Sequence, residues 1–125
     1  PLMPFLDWML FKDDGRNTIT LNIGGVANLS FIPQSGKRNE VAGFDTGPGM
    51  ALIDECCWQF YGETLDQDAY HAKAGSINET ILAELMSHEF IQRKNPPKST
   101  GRHEFGRGLL YHILNKYPKT SCLYN

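Results

Sequence analysis

The chain has little of what marks several common protein classes. Among its 125 residues no apolar run approaches the roughly 20 residues of a membrane-spanning helix. A formal net charge of -2 leaves no electrostatic case for nucleic acid or an anionic membrane. Its three cysteines are Cys56, Cys57 and Cys122. An odd count with two adjacent is no disulfide framework. Neither a Cys-x-x-Cys nor a helical His-x-x-x-His is present, so no metal ligand is assigned. His71, His88, His103 and His112 are scattered and read as surface or capping residues. No internal repeat, low-complexity tract or interdomain linker is visible. No secretory signal is visible either, but the first residue is Pro rather than Met, so the chain reads as cut from something longer. A reducing, cytoplasmic setting is the default expectation.

What is present is ordinary for one globular domain with a modest core: 41% hydrophobic and 21% charged residues. Pro1 to Lys12 predicts a short helix in which Met3, Leu6 and Leu10, with Phe5 and Trp8, cover one broad face. A polar turn, Asp13 to Asn17, ends it. Thr18 to Ile23 and Val26 to Ile32 are rich in β-branched residues and predict two strands joined at Gly24-Gly25. Glu40 to Phe44 predicts a third. Connections this short favour an antiparallel meander. Pro48 to Tyr61 predicts a helix with Met50, Ile53, Cys57 and Phe60 on one face and Gly62 as its stop. Its cysteines read as small buried hydrophobes rather than reactive thiols. Asp66 is a candidate cap for a helix from Gln67 to Lys73, and Asn78 for one from Glu79 to His88. Phe90 and Ile91 pack after the next turn. Arg93 to Arg102 has no periodicity and reads as a loop. Phe105 to Tyr117 predicts a last amphipathic helix, and the remainder a frayed end. Strands followed by helices read as α+β, or as part of an α/β fold.

Three stretches carry chemistry. In VAGFDTGPGMALID, Val41 to Asp54, a single carboxylate, Asp45, precedes the turn Gly47-Pro48-Gly49. A carboxylate held where a strand gives way to a helix can reach into a cleft, and the glycines allow a ligand to approach. The plainer alternative is a turn residue or helix cap. In LNIGG, Leu21 to Gly25, exposed N–H groups of a glycine turn can hold a phosphate; tight hairpins also use Gly-Gly for conformation alone. The loop PPKSTGR offers an ammonium, two hydroxyls and a guanidinium, a set suited to anions or sugar hydroxyls. It lacks P-loop spacing, and a solvated basic loop is the alternative.

Taken together, LNIGGVANLSFIP, GFDTGPGMALID, LDQDAYHAKAG and PPKSTGR resemble, in order and spacing, the anhydro-N-acetylmuramic acid kinases and their levoglucosan kinase relatives. The resemblance runs from Pro1 to about Leu114. It implies an α/β fold of the ribonuclease H-like, actin/hexokinase/Hsp70 type, with two lobes and a cleft. Residues 1–125 would be one partial domain, the start of the second lobe, with the three strands as its first meander. The resemblance makes Asp45 the catalytic base, activating a water that attacks the anomeric carbon of a 1,6-anhydro sugar. The freed O6 takes the γ-phosphoryl of ATP, and the product is N-acetylmuramic acid 6-phosphate. Asn22, Gly24 and Gly25 would belong to a phosphate-binding element, and Gly47 and Gly49 to the sugar side. ATP with Mg²⁺ is implied as the phosphoryl source, because charge developing on the phosphates needs a cation. The implied partner is an anhydrosugar of cell-wall turnover, with no nucleic acid or membrane; a homodimer is left open.

The sequence departs from the family in places. Met50 stands where the family usually has Asn, Ala69 where it has Gly, and His103 where it has Glu. None of the three is given a ligand role. The first phosphate loop, an Asp-Phe-Arg sugar segment and a late Gly-rich adenosine stretch of the family are absent. The fragment alone is therefore expected to bind ATP poorly. Two rivals stand beside the muramic acid reading: a sister kinase for levoglucosan, and a truncated remnant acting as a binding domain.

Overall fold

A computed structural model describes residues 2–13, 15–93 and 95–118. Pro1, Asp14 of the first turn, Lys94 of the late loop, Cys122 and the tail expected to fray lie outside the described residues. The described chain is a partial α/β fold. A helix, α1 (Leu2–Phe11), precedes three antiparallel strands in the order β1-β2-β3, and five further helices follow. Strands β1 (Thr18–Ile23) and β2 (Val26–Ile32) have the predicted bounds. They pair in register, with Asn22 opposite Asn28, and β2 pairs in turn with β3 (Ala42–Pro48).

The third strand differs from its expected span. Arg38–Glu40 forms one 3-10 turn, and β3 continues through Asp45 to Pro48. Low β-propensity at Gly, Asp and Pro is overridden by tertiary pairing. Asp45 pairs with Asn28, and the register shifts between Ala27 and Asn28, which leaves Thr46 as the extra residue of a bulge. Its hydroxyl donates to the Ala27 carbonyl at 3.1 Å. Asp45 therefore lies inside a strand rather than at its end. Helix α2 (Ala51–Tyr61) begins three residues later than Pro48. Before it, Gly49 and Met50 donate their N–H groups to the Gly25 and Gly24 carbonyls at 3.0 and 2.8 Å. Of its expected apolar face, Cys57 is buried, but Met50 and Ile53 are exposed and Ala51 takes their place. Gly62 ends α2 in the left-handed conformation, as expected.

On α1 the expected face is divided. Met3, Leu6 and Leu10 are exposed, whereas Asp7 is buried. The Asp7 carboxylate accepts from Thr20 Oγ1 at 2.8 Å and Ser30 Oγ at 2.6 Å, so a charge-assisted clamp seats the helix on the sheet. Pro4 crosses β3 at Gly43, where a Cβ would come within 2.3 Å of the ring.

The remaining helices form a second layer. Their core gathers Phe90, Phe105, Leu110 and Ile113, with the two phenylalanine rings edge to face at 5.7 Å. The predicted helix at Gln67 splits into a 3-10 turn and α3 (Tyr70–Ala74), because Asp68 and Ala69 adopt positive φ. Asp66 caps α3 from upstream, accepting from the His71 and Ala72 N–H groups at 2.9 and 3.0 Å. Burial works against its charge, but these backbone donors together with His71 outweigh it and hold the carboxyl below its ordinary value. Asn78 caps α4 (Glu79–Met86) as expected, and His88 caps α5 (Glu89–Gln92). Helix α6 (Arg107–Lys116) closes the layer. Burial pushes the Cys56 thiol up to about 11, with Cys57 and Glu55 adding to it, which fits an inert cysteine.

Candidate active site

Three sequence stretches far apart in the chain converge at the bulged end of the sheet. Directly opposed residues of an antiparallel sheet point to the same face. The register therefore sets Asn22, Asn28 and Asp45 side by side across all three strands. By alternation this is the face on which α1 sits. Asp7 contacts Thr20 and Ser30, one row away, and Asn22 at the β1 end of the polar row is exposed.

The loop carrying PPKSTGR lies along the outer edge of β3. Asp45 N–H donates to the Lys98 carbonyl at 2.9 Å. The Asp45 carboxylate accepts from Ser99 Oγ and from the Thr100 N–H, both at 2.8 Å and both on Oδ2. Asp45 is half-buried, held by two donors on one oxygen but not sealed in the interior. Thr100 Oγ1 in turn donates to Glu104. The loop is thus anchored from one end, as an ordered element rather than a solvated basic tail. Its two cations have separate roles. Lys98 Nζ turns back to the carbonyls of Phe90 and Arg93, both at 3.0 Å. Arg102 reaches over the Gly24-Gly25 turn and donates to Asp54 Oδ2 at 3.2 Å.

The glycines of the two motifs do different work. A Cβ at Gly49 would fall 2.1 Å from the Gly24 carbonyl oxygen, so only glycine allows the two turns to meet. Gly47 has φ +151°, and a Cβ there would sit 3.0 Å from Ile91 Cδ1. Both therefore serve backbone packing at the site's edge. By contrast, a Cβ at Gly24 would meet only the Val26 carbonyl at 3.7 Å, and one at Gly25 only the flexible Arg102 side chain. On the protein side the space over Gly24 is open, as a phosphate cradle needs, and over Gly25 it is occupied only by the Arg102 guanidinium. The Gly24 and Gly25 carbonyls accept from Gly49, Met50 and Ala51, which bolts the turn to the entry of α2.

Sequence alone marks Asn28, Ser99, Thr100 and Arg102 only as members of their stretches, LNIGGVANLSFIP and PPKSTGR. Asn28 stands opposite Asn22 because the β1-β2 register closes over three residues, Gly24 to Val26, whereas a two-residue turn would set Asn22 against Ala27. Elsewhere, a cavity of about 840 Å³ opens between α2, α3, α4 and α6, lined by residues such as Leu52, Phe60, Ile81 and Ile113. Leu52 at the end of GFDTGPGMALID and His71, Ala74 and Gly75 of LDQDAYHAKAG reach it, but Asp45, Asn22 and the glycines of the two turns do not. Among the described residues no three His, Cys, Asp or Glu side chains converge as a metal site. Among them, too, no helix is long and apolar enough to cross a membrane.

Comparison with known proteins agrees with the motif reading. A family model described as anhydro-N-acetylmuramic acid kinase matches residues 1–124. A curated protein of that name from Clostridioides difficile (strain 630) is 43% identical over 117 residues, covering 94% of this chain and 30% of that protein. One from Bacillus cereus (strain 03BB102) is 40% identical over 121 residues, covering 97% of this chain and 31% of its own length. The chain thus spans about 30% of the length of the curated relatives it matches.

Proposed function

This chain belongs to the anhydro-N-acetylmuramic acid kinase family, and from that premise we propose that the polypeptide carrying it phosphorylates an anhydrosugar at the expense of ATP. The substrate we infer is 1,6-anhydro-N-acetylmuramic acid, opened by water and phosphorylated at O6. The residues described here form the start of the second lobe and supply the base and one phosphate-facing turn. One observation carries the reading: the half-buried Asp45 carboxylate stands in a polar row with Asn28 and Asn22, one strand connection away from the open Gly24-Gly25 turn.

Asp45 serves as the general base. Its Oδ2 is held by Ser99 and Thr100, which fixes the carboxylate plane and leaves Oδ1 to take the proton of a water beside the anomeric carbon. Asn22, Gly24 and Gly25 hold the phosphates, with backbone approach allowed by the missing Cβ atoms. ATP supplies the phosphoryl group that O6 accepts once the bridge has opened. Gly47 and Gly49 shape the sugar side through the path of the backbone. Mg²⁺ is expected only as the counter-ion carried with the phosphates; among the described residues no three His, Cys, Asp or Glu side chains converge to hold it, and no step is assigned to it.

The test is Asp45→Asn in the polypeptide that carries this chain, assayed by coupled ADP release with both 1,6-anhydro-N-acetylmuramic acid and levoglucosan. General-base assistance is worth about 10²–10⁴-fold. Asn retains an acceptor for Ser99 and Thr100, so turnover falls by at least that range while the melting temperature holds. Near-normal turnover in the variant defeats the assignment of the base. Preference for levoglucosan in the unmutated protein replaces the substrate and keeps the mechanism.

A further inference from the structure

Arg102 occupies a position that the proposed mechanism has not used. Its guanidinium lies against the Gly24-Gly25 turn, with Nη2 and Nε at 3.3 and 3.4 Å from where a Gly25 Cβ would be. It is more than half exposed, with 58% of the side chain accessible. Its ion pair to Asp54 is a single contact, Nη2 to Oδ2 at 3.2 Å, where a guanidinium and a carboxylate can make two. The other cation of the loop, Lys98, is committed to carbonyl oxygens. Asp54 has a second source of stabilisation, because it lies in the first turn of α2, where the helix dipole favours negative charge. It can release the guanidinium without being left uncompensated.

We propose that Arg102 is a ligand-binding residue for the terminal phosphates of the nucleotide, exchanging its Asp54 partner for phosphate oxygens over the Gly24-Gly25 turn. The proposal rests on the kinase reading and deepens it. Arginine suits the task because its planar fork matches phosphate geometry and stays charged at any working pH. Asp54 is then the parking place of the side chain, a competing acceptor rather than a catalytic carboxylate.

Three variants separate this from a strut that merely ties the loop to α2. In the polypeptide that carries this chain, Arg102→Gln removes the cation, Arg102→Lys keeps charge without the fork, and Asp54→Asn removes the competitor. Steady-state KM for ATP, KM for the anhydrosugar and kcat are measured, with ADP binding followed by calorimetry. Losing a charge-assisted hydrogen bond raises the KM for ATP by roughly tenfold to hundredfold in Arg102→Gln. Arg102→Lys recovers part of that loss, and the KM for sugar stays near its starting value in both. Asp54→Asn leaves the KM for ATP unchanged or lower, although it breaks the same ion pair. An equal rise in KM for ATP in Arg102→Gln and Asp54→Asn overturns the proposal and leaves a strut. So does an unchanged KM in Arg102→Gln. If the unmutated polypeptide neither binds ADP nor turns over ATP, the kinase reading falls together with this one.

Discussion

Ala69 holds φ 55° and ψ 38°, a left-handed conformation in which an L-residue's Cβ crowds the following carbonyl, at a cost of about 1–2 kcal/mol. Glycine avoids that crowding but gives up roughly 0.5–1 kcal/mol of chain entropy on folding. The difference favours Ala69→Gly by about 0.5–1 kcal/mol. The variant is expected to melt higher, with no change in phosphate or sugar affinity; a lower melting temperature would show that Ala69 is not strained. Asp45, Asn22, Gly24 and Gly25 could be picked out because each stands in a short motif whose neighbours restrict its conformation. What holds them could not. Ser99 and Thr100 reach Asp45 across 54 and 55 residues of chain, and Arg102 reaches Asp54 across 48. Asp7 was missed for another reason. A carboxylate amid Phe, Leu and Trp is expected to face water, and only the hydroxyls of Thr20 and Ser30 on separate strands reverse that preference.

Strand β3 and helix α2 illustrate where element boundaries become legible. Periodicity gave β1 and β2 to the residue, because β-branched side chains and a glycine turn agree there. It stopped β3 short, since Asp45 to Pro48 has poor strand propensity and is extended by its neighbours on both sides, β2 and the Lys98 loop. The helical layer shows the reverse case, an element pair joined by charge. Glu84 on α4 accepts from Lys116, from Tyr117 Oη at 2.7 Å, and faces His112 Nε2 at 3.2 Å on α6. The Lys116 bond first, then that from Tyr117, brings the Glu84 carboxyl down to about 2. A carboxyl depressed in the folded state binds fewer protons than in the unfolded chain, so stability rises with pH across that interval. Its contribution is present above the ordinary value of 4.5 and is lost as pH falls through about 2. Glu84→Gln should therefore melt lower than the unmutated chain near neutral pH, and the gap should close on acidification to about pH 2. A gap that stays constant over the titration would mean that packing, not charge, joins α4 to α6.

At the scale of the whole molecule the sheet is covered unevenly. On one face α1 and its Asp7 clamp seat over Ser30 and Ile32. On the other, Ile19, Leu21 and Ile23 of β1 are 66%, 59% and 60% exposed, in one alternating row. Among the described residues β1 pairs only with β2, so its outer edge also presents unpaired backbone groups. The outer side of α1 adds Leu2, Met9 and Leu10 to the apolar surface. The curated relatives carry chain well beyond the matched segment, and such a row is where further chain would pack. Left uncovered, an open edge beside an apolar row is a template for pairing with another copy. The 125-residue chain expressed alone is expected to self-associate as its concentration rises, read by light scattering after size exclusion. Leu21→Lys places a charge at the centre of that row, the device by which natural edge strands resist pairing. It should shift the isolated chain toward monomer. In the polypeptide that carries this chain the same substitution should instead destabilise, because a covered Leu21 would bury the new charge. If Leu21→Lys leaves that polypeptide's melting temperature unchanged, the row stays solvent-facing in the larger protein.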